Sequence, residues 1–160
     1  DFWRRNKENF PSHGGAFTGE PAYYTHVINA TKKLMEKAKS KPEDYDYVIF
    51  HQPNGKFPRR VAKLLGFSEK QIIQGMLVGK IGNTYSGASM LGLAAILDIA
   101  KPGQRILLTS YGSGAGSDSF DITITEEILN AQNKIKKVED YIKDKIYVDY
   151  LTYLKNTKHN

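Results

Sequence analysis

Cysteine is absent from the 160 residues, which excludes disulfides, thiolate metal sites and a cysteine nucleophile within this chain. A membrane span is missing too: the longest apolar run, Ala88 to Ala100, is too short and too rich in glycine and alanine to cross a bilayer. The amino terminus lacks the charged-then-apolar pattern of a signal segment. The expectation is a soluble protein of the cytoplasm. Acidic residues are outnumbered: 23 Lys and Arg against 17 Asp and Glu give a formal net charge of +6, with a pI near 9.3. Nucleic acid is one partner for such a surface, but no helix-turn-helix, RNP or zinc pattern accompanies it. The densest basic stretch, Lys134 to Lys145, interleaves its lysines with Glu139, Asp140 and Asp144, as a solvated helix face does. Nucleic-acid binding is therefore not expected, and phosphorylated cofactors are the other anions that a basic surface serves.

What is present suffices for one domain with a sizeable core. Ala88 to Ala100 carries strong helix formers on every face and predicts an interior helix, stopped by Pro102-Gly103. Ile106 to Ser110 is too short and too apolar to be anything but a covered strand. Asp118 to Thr125 alternates at period two and predicts a strand with one more exposed face, able to pair antiparallel with residues 105–110 across the glycine loop 112–116. Upstream, Glu20-Pro21 opens a helix running to about Lys39, with Pro21 in the first turn and Val27, Ala30, Leu34 and Ala38 as its apolar stripe. Tyr45 to Phe50 predicts a strand central in a sheet, because its last three residues are wholly apolar. Phe57 to Leu65 predicts an amphipathic helix capped by Gly66, and a short strand is expected at Ile72 to Met76. Residues 1–19 show no period, and their rings Phe2, Trp3, Phe10 and Phe17 predict packing against structure that precedes residue 1. From Glu126 to Asn156 apolar residues recur every three or four positions, predicting one long helix or two shorter ones. Strands alternating with helices define an α/β layered fold with a mixed sheet, a buried helix and outer helices, in a single domain over 1–160.

Three positions stand where such folds place chemistry, at the carboxyl ends of strands and in the loops that follow. His51 ends the apolar strand, before a turn containing Pro53. Asn83, preceded by Gly82, stands in the loop entering the central helix. Either one alone has an ordinary structural explanation, a satisfied core histidine or a helix cap. Together, a neutral imidazole and a carboxamide supply the two N–H donors that an oxyanion or enolate needs. The third is the loop Gly112-Ser-Gly-Ala-Gly116. It lacks the spacing of a P-loop or a dinucleotide fingerprint, so its glycines are expected to let the backbone pass close to a substrate.

The order His51-Gln-Pro-Asn54, Gly82-Asn-Thr-Tyr-Ser-Gly87 and Ser110-Tyr-Gly-Ser-Gly-Ala-Gly-Ser-Asp118 resembles the carboxyl-terminal half of the thiolase superfamily, and most closely the archaeal-type hydroxymethylglutaryl-CoA synthases. Asp1-Phe-Trp-Arg-Arg5, His13-Gly-Gly15, Phe17-Thr-Gly-Glu-Pro21 and Asp149-Tyr-Leu-Thr-Tyr-Leu-Lys155 extend the likeness over nearly the whole chain. The resemblance implies a five-layered α/β/α/β/α fold made of two similar halves with the active site between them. It implies that His51 holds the acetoacetyl thioester carbonyl with Asn83 beside it. Pro53 and Ser113 fall at substrate-binding positions, and Lys56 reaches toward the CoA phosphates. Acetyl-CoA and acetoacetyl-CoA are the implied substrates, no metal or further cofactor is called for, and the product feeds the mevalonate route to isoprenoids. The family's nucleophilic cysteine and its acid/base glutamate belong to an amino-terminal half that residues 1–160 do not contain. That half is the expected partner, with homodimers and assembly with a thiolase and a scaffold protein as further family properties. An acyl-carrier-type ketoacyl synthase uses a histidine and an asparagine in the same order, and a non-catalytic CoA-binding or assembly module is the third possibility.

Overall fold

The computed structural model describes residues 2–10, 12–13, 19–20, 22–112 and 116–157. Its organising element is a three-stranded mixed sheet. β3 (Tyr47–Phe50) runs parallel to β4 (Arg105–Thr109), which pairs antiparallel with β5 (Ser119–Thr123). The parallel register sets Val48 against Leu107 and Ile49 against Leu108, so each such pair points to the same face. On one face Val48, Phe50 and Leu107 meet Tyr23 and Val27 of α1 (Ala22–Ala38) and Val61 and Leu65 of α2 (Phe57–Leu65). On the other, Ile49, Ile106 and Leu108 meet Ile96 of α5 (Ala88–Leu97), Ala100 and Ile124. Both faces of β4 are therefore covered, which is why its sequence is apolar without alternation. Each fully buried aliphatic or aromatic side chain contributes on the order of 2 kcal/mol, and these two clusters hold the layers together.

A parallel pair needs a crossover, and residues 51–104 supply it. α2 ends where Gly66 adopts φ +88°, a left-handed cap that a side chain would strain. The chain then forms α3 (Glu69–Ile72), a 3-10 turn (Ile73–Gly75), α4 (Val78–Ile81), a second 3-10 turn (Tyr85–Gly87) and α5. The strand expected at Ile72 to Met76 is thus helix and turn. Ser68 and Gln71 form a reciprocal capping box, which starts a helix, and the segment packs against β3. β3 itself is an edge strand of the three, with β4 in the centre, contrary to the expectation for Tyr45 to Phe50.

α5 buries one stripe, Ala88, Ser89, Gly92 and Ile96, spaced at about four residues. Met90, on another side, is 59% exposed, while the rest of the helix is buried or half-buried against the sheet, the turns at 73–75 and 85–87, and α7. Residues 1–19 are not wholly irregular: β1 (Phe2–Trp3) pairs antiparallel with β2 (Ser12–His13). Phe10 is exposed, while Phe17 and Pro21 lie outside the described residues. After β5 come three helices rather than one or two, α6 (Glu127–Gln132), α7 (Val138–Lys143) and α8 (Tyr150–Thr157). Tertiary bonds place the first break. Gln132 Nε2 donates to the carbonyls of Leu97 and Ala100 at 2.7 and 2.8 Å, and Asp98 Oδ2 accepts from Val138 N at 2.6 Å. The end of α5 therefore holds the end of α6 and the start of α7.

Candidate functional site

His51 follows β3 directly and is only 7% exposed. Its backbone N donates to Thr109 O at 3.0 Å, continuing the β3–β4 ladder, and its carbonyl accepts from the Tyr23 hydroxyl at 2.5 Å. Burial and the neighbouring Tyr24 push the Tyr23 phenol well above its usual range, so it stays a neutral donor. The imidazole lies against the Tyr111 ring, with centroids 5.7 Å apart, and near that of Tyr23 at 6.3 Å. Burial among these rings lowers the histidine pKa, because the charged form loses more hydration than the neutral one. His51 is therefore a neutral imidazole near pH 7, with one N–H to donate.

Gln52, the next residue, is 2% exposed and turns away from His51 into the crossover. Its Oε1 accepts from Leu77 N at 2.7 Å and Val78 N at 2.8 Å, while Nε2 donates to Gly75 O at 2.7 Å and Ala88 O at 3.4 Å. Two N–H groups around one atom and two carbonyls around the other fix the amide orientation. α5 comes this close because Gly92 has no side chain: a Cβ there would lie 2.9 Å from Ile49 Cγ2 and 3.2 Å from Gln52 Nε2.

Asn83 does not cap α5. Its Oδ1 accepts from Tyr85 N at 2.8 Å, closing a turn in which Tyr85 takes φ +52°. The residue is exposed. His51 is buried and Asn83 exposed, on two loops that Gln52 joins. Pro53 is half-buried in the turn after Gln52. Asn54 closes the turn that leads into α2, its Oδ1 accepting from Lys56 N at 2.9 Å and Phe57 N at 3.0 Å, and Lys56 is the residue at the positive end of that helix. Lys56 is exposed and forms no ion pair among the described residues, whereas Arg59 and Arg60 pair with Glu69 and Glu20. Ser113 lies outside the described residues; the hairpin on either side of it continues to Gly112 and Gly116, bonded at 2.9 and 3.3 Å.

Among the described residues no cluster of His, Asp or Glu could hold a metal ion, and no helix is long and apolar enough to cross a membrane. The sequence alone did not mark Tyr23, Gln52 and Tyr111, which position or enclose the histidine. A hint was available for Gln52, since a side chain with four hydrogen-bonding sites beside a buried strand end has to satisfy them within the protein.

A mixed sheet covered on both faces, with a buried histidine ending one strand and an exposed asparagine in the loop between α4 and α5, belongs to a thiolase-like fold. The chain belongs to the family of the 3-oxoacyl-[acyl-carrier-protein (ACP)] synthase III C-terminal domain, whose model matches residues 35–124. Its curated relatives include hydroxymethylglutaryl-CoA synthases of archaea. It is 57% identical to that of Methanosarcina acetivorans over 156 residues, 98% of this chain and 45% of the relative. It is 60% identical to that of Methanocaldococcus jannaschii over 158 residues, 99% of this chain and 46% of the relative. The chain thus spans less than half the length of these relatives and corresponds to their carboxyl-terminal part. Solved structures agree on the fold. MvaS in complex with 3-hydroxy-3-methylglutaryl coenzyme A superposes with a TM-score of 0.76 at 21% identity, over 100% of this chain and 47% of that one. An HMG-CoA synthase complexed with CoA gives 0.71 at 23% identity, over 97% and 43%. The 3-oxoacyl-(acyl carrier protein) synthase III FabH of Pseudomonas aeruginosa gives 0.58 at 21%, over 64% and 32%.

Proposed function

We propose that this chain is the carboxyl-terminal part of a hydroxymethylglutaryl-CoA synthase and supplies the carbonyl-polarising side of its active site. The observation that carries this is the identity of 57% and 60% to two such synthases, maintained over 98–99% of the chain. In the complete enzyme, acetyl-CoA acylates a cysteine of the amino-terminal half and releases CoA. A glutamate of that half removes a proton from the acetyl methyl group, and the resulting carbon attacks the ketone of acetoacetyl-CoA. Water then cleaves the thioester to the cysteine, releasing 3-hydroxy-3-methylglutaryl-CoA. His51, neutral and buried, and Asn83, offering Nδ2, donate to the carbonyl oxygens on which charge develops. Each such donor is worth on the order of 10²–10³ in turnover. Lys56 serves the CoA phosphates, and Pro53 and Ser113 are assigned to substrate binding. Substrates are CoA thioesters, with no metal or further cofactor. The product enters the mevalonate route in the cytoplasm, and the complete enzyme forms homodimers able to assemble with a thiolase and a scaffold protein. The exposed Met90 of α5 lies on the seam with the amino-terminal half.

His51→Ala, made in the enzyme completed with its amino-terminal half, tests this. Condensation falls by about 10²-fold or more, while acetylation of the cysteine stays near wild type, because the two steps use different groups. Equal loss of both steps would make His51 structural. The family match and the likeness to FabH favour a second reading, an acyl-carrier-dependent ketoacyl synthase. The family match ends at residue 124, whereas the synthase relatives align over nearly the whole chain. Preference for an acyl-carrier thioester over acetoacetyl-CoA would favour the second reading.

A further inference from the structure

The buried amide of Gln52 occupies a place that the chemistry just described leaves unexplained. It is bonded to His51 through the backbone, and its side chain reaches both flanks of the loop that carries Asn83. On the upstream flank Oε1 takes the N–H groups of Leu77 and Val78, at 2.7 and 2.8 Å, where α4 begins. These are the first-turn donors that a helix leaves without internal partners. On the downstream flank Nε2 reaches Ala88 O at 3.4 Å, in the first turn of α5, and its shorter bond of 2.7 Å goes to Gly75 O. Residues 79–87, with Asn83 at their middle, therefore span two anchor points held by one amide. Within the span, the exposed Asn83 accepts the bond from Tyr85 N, and Lys80 pairs with Glu139 of α7 at 2.7 Å. On the buried side, the tie between the His51 strand end and both flanks of the Asn83 loop runs through Gln52.

We propose that Gln52 is a positioning residue for the condensation step: it holds the Asn83 loop in register with His51, so that both N–H donors meet one substrate. The inference rests on the function proposed above. It follows from the bonding capacity of the side chain. A carboxamide of this length satisfies two donors and two acceptors at once, and no other side chain does so without charge. Glutamate keeps the acceptor side toward Leu77 and Val78, but sets an oxygen against the carbonyls of Gly75 and Ala88. Leucine fills similar space and satisfies none of the four. A displacement of about 1 Å between groups that must converge on one substrate costs about 10²-fold in rate.

The experiment measures two half-reactions in the enzyme completed with its amino-terminal half, for wild type, Gln52→Glu and Gln52→Leu. Acetylation of the protein by radiolabelled acetyl-CoA reports on the cysteine and counts the enzyme that is folded. Turnover with acetoacetyl-CoA, divided by that count, reports on the step that needs His51 and Asn83. The expected result is a ratio lowered about 10²-fold in the leucine variant, with the glutamate variant between it and wild type. A purely structural residue lowers both reactions together and leaves the ratio unchanged. An unchanged ratio in either variant, or loss of acetylation in step with condensation, overturns the proposal. Failure of the functional reading is separate and visible first: wild type then gives no condensation of acetyl-CoA with acetoacetyl-CoA.

Discussion

Gly92→Ala sets two effects of known size against each other. Glycine inside a helix costs roughly 1 kcal/mol relative to alanine, so on propensity alone the substitution stabilises α5. The surroundings reverse the sign. The new methyl would lie 2.9 Å from Ile49 Cγ2, 3.0 Å from Gly75 O and 3.2 Å from Gln52 Nε2. Gly75 O is main chain and Ile49 is 1% exposed, so neither yields by rotating into solvent, and α5 has to shift. Overpacking of this kind costs about 1–3 kcal/mol, and breaking the Gln52 bonds adds to it, leaving a net destabilisation of about 1–2 kcal/mol. Gly79 is the internal control, a helical glycine with nothing within 4 Å of an added methyl. There the same change stabilises by about 0.5–1 kcal/mol. Urea unfolding of the completed enzyme, read as midpoint shifts at constant slope, checks both signs. A Gly92→Ala variant as stable as wild type would refute the close approach of α5 to β3.

Tyr23→Phe removes the hydroxyl that donates to the His51 carbonyl. It lowers stability by about 1–3 kcal/mol, seen in the same titration, and a neutral result would mean that solvent serves that carbonyl. Asp121 accepts a two-pronged bond from Arg105, at 2.9 and 2.6 Å, which holds its carboxyl below the usual carboxylate range. Because the folded-state pKa is depressed, its contribution is complete above the unfolded value near 4 and is lost as pH falls through the folded value. Asp121→Asn therefore costs about 1 kcal/mol at pH 7, and the gap from wild type narrows below about pH 4; a gap constant with pH would remove the ion pair from the explanation.

The sequence revealed those parts of the fold whose cause is local. Gly66 stops α2 because of its own left-handed backbone, and the period-two pattern of residues 118–125 marks β5 wherever the rest of the chain lies. The Ile72-Ile73 pair suits a strand as well as a helix because apolar runs are ambiguous at this length, and the capping box Ser68-Glu-Lys-Gln71 is the local signal for the helix. The breaks in 126–156 had no such signal: no glycine or proline stops α6, and it is the tie of Gln132 and Asp98 to distant residues that does. The apolar sequence of α5 marks a largely covered helix, and only Met90 stands exposed on it. His51 was legible from its place at a strand end. Its enclosure was not, because Tyr23 and Tyr111 come from residues 28 positions before it and 60 after it, brought together by the packing of α1 on the sheet and by the crossover that sets β4 beside β3.

Labelling with radioactive acetyl-CoA tests the division of labour most directly. Residues 1–160 are incubated alone and together with the amino-terminal half, the two chains are separated, and each is counted before and after acetoacetyl-CoA is added. With no cysteine to accept an acyl group, this chain remains unlabelled in both mixtures. The amino-terminal half takes the acetyl group, and the label leaves as hydroxymethylglutaryl-CoA only when both halves are present. Label held covalently by residues 1–160, or product formed by them alone, would contradict the assignment of this chain to the carbonyl-polarising side of the active site.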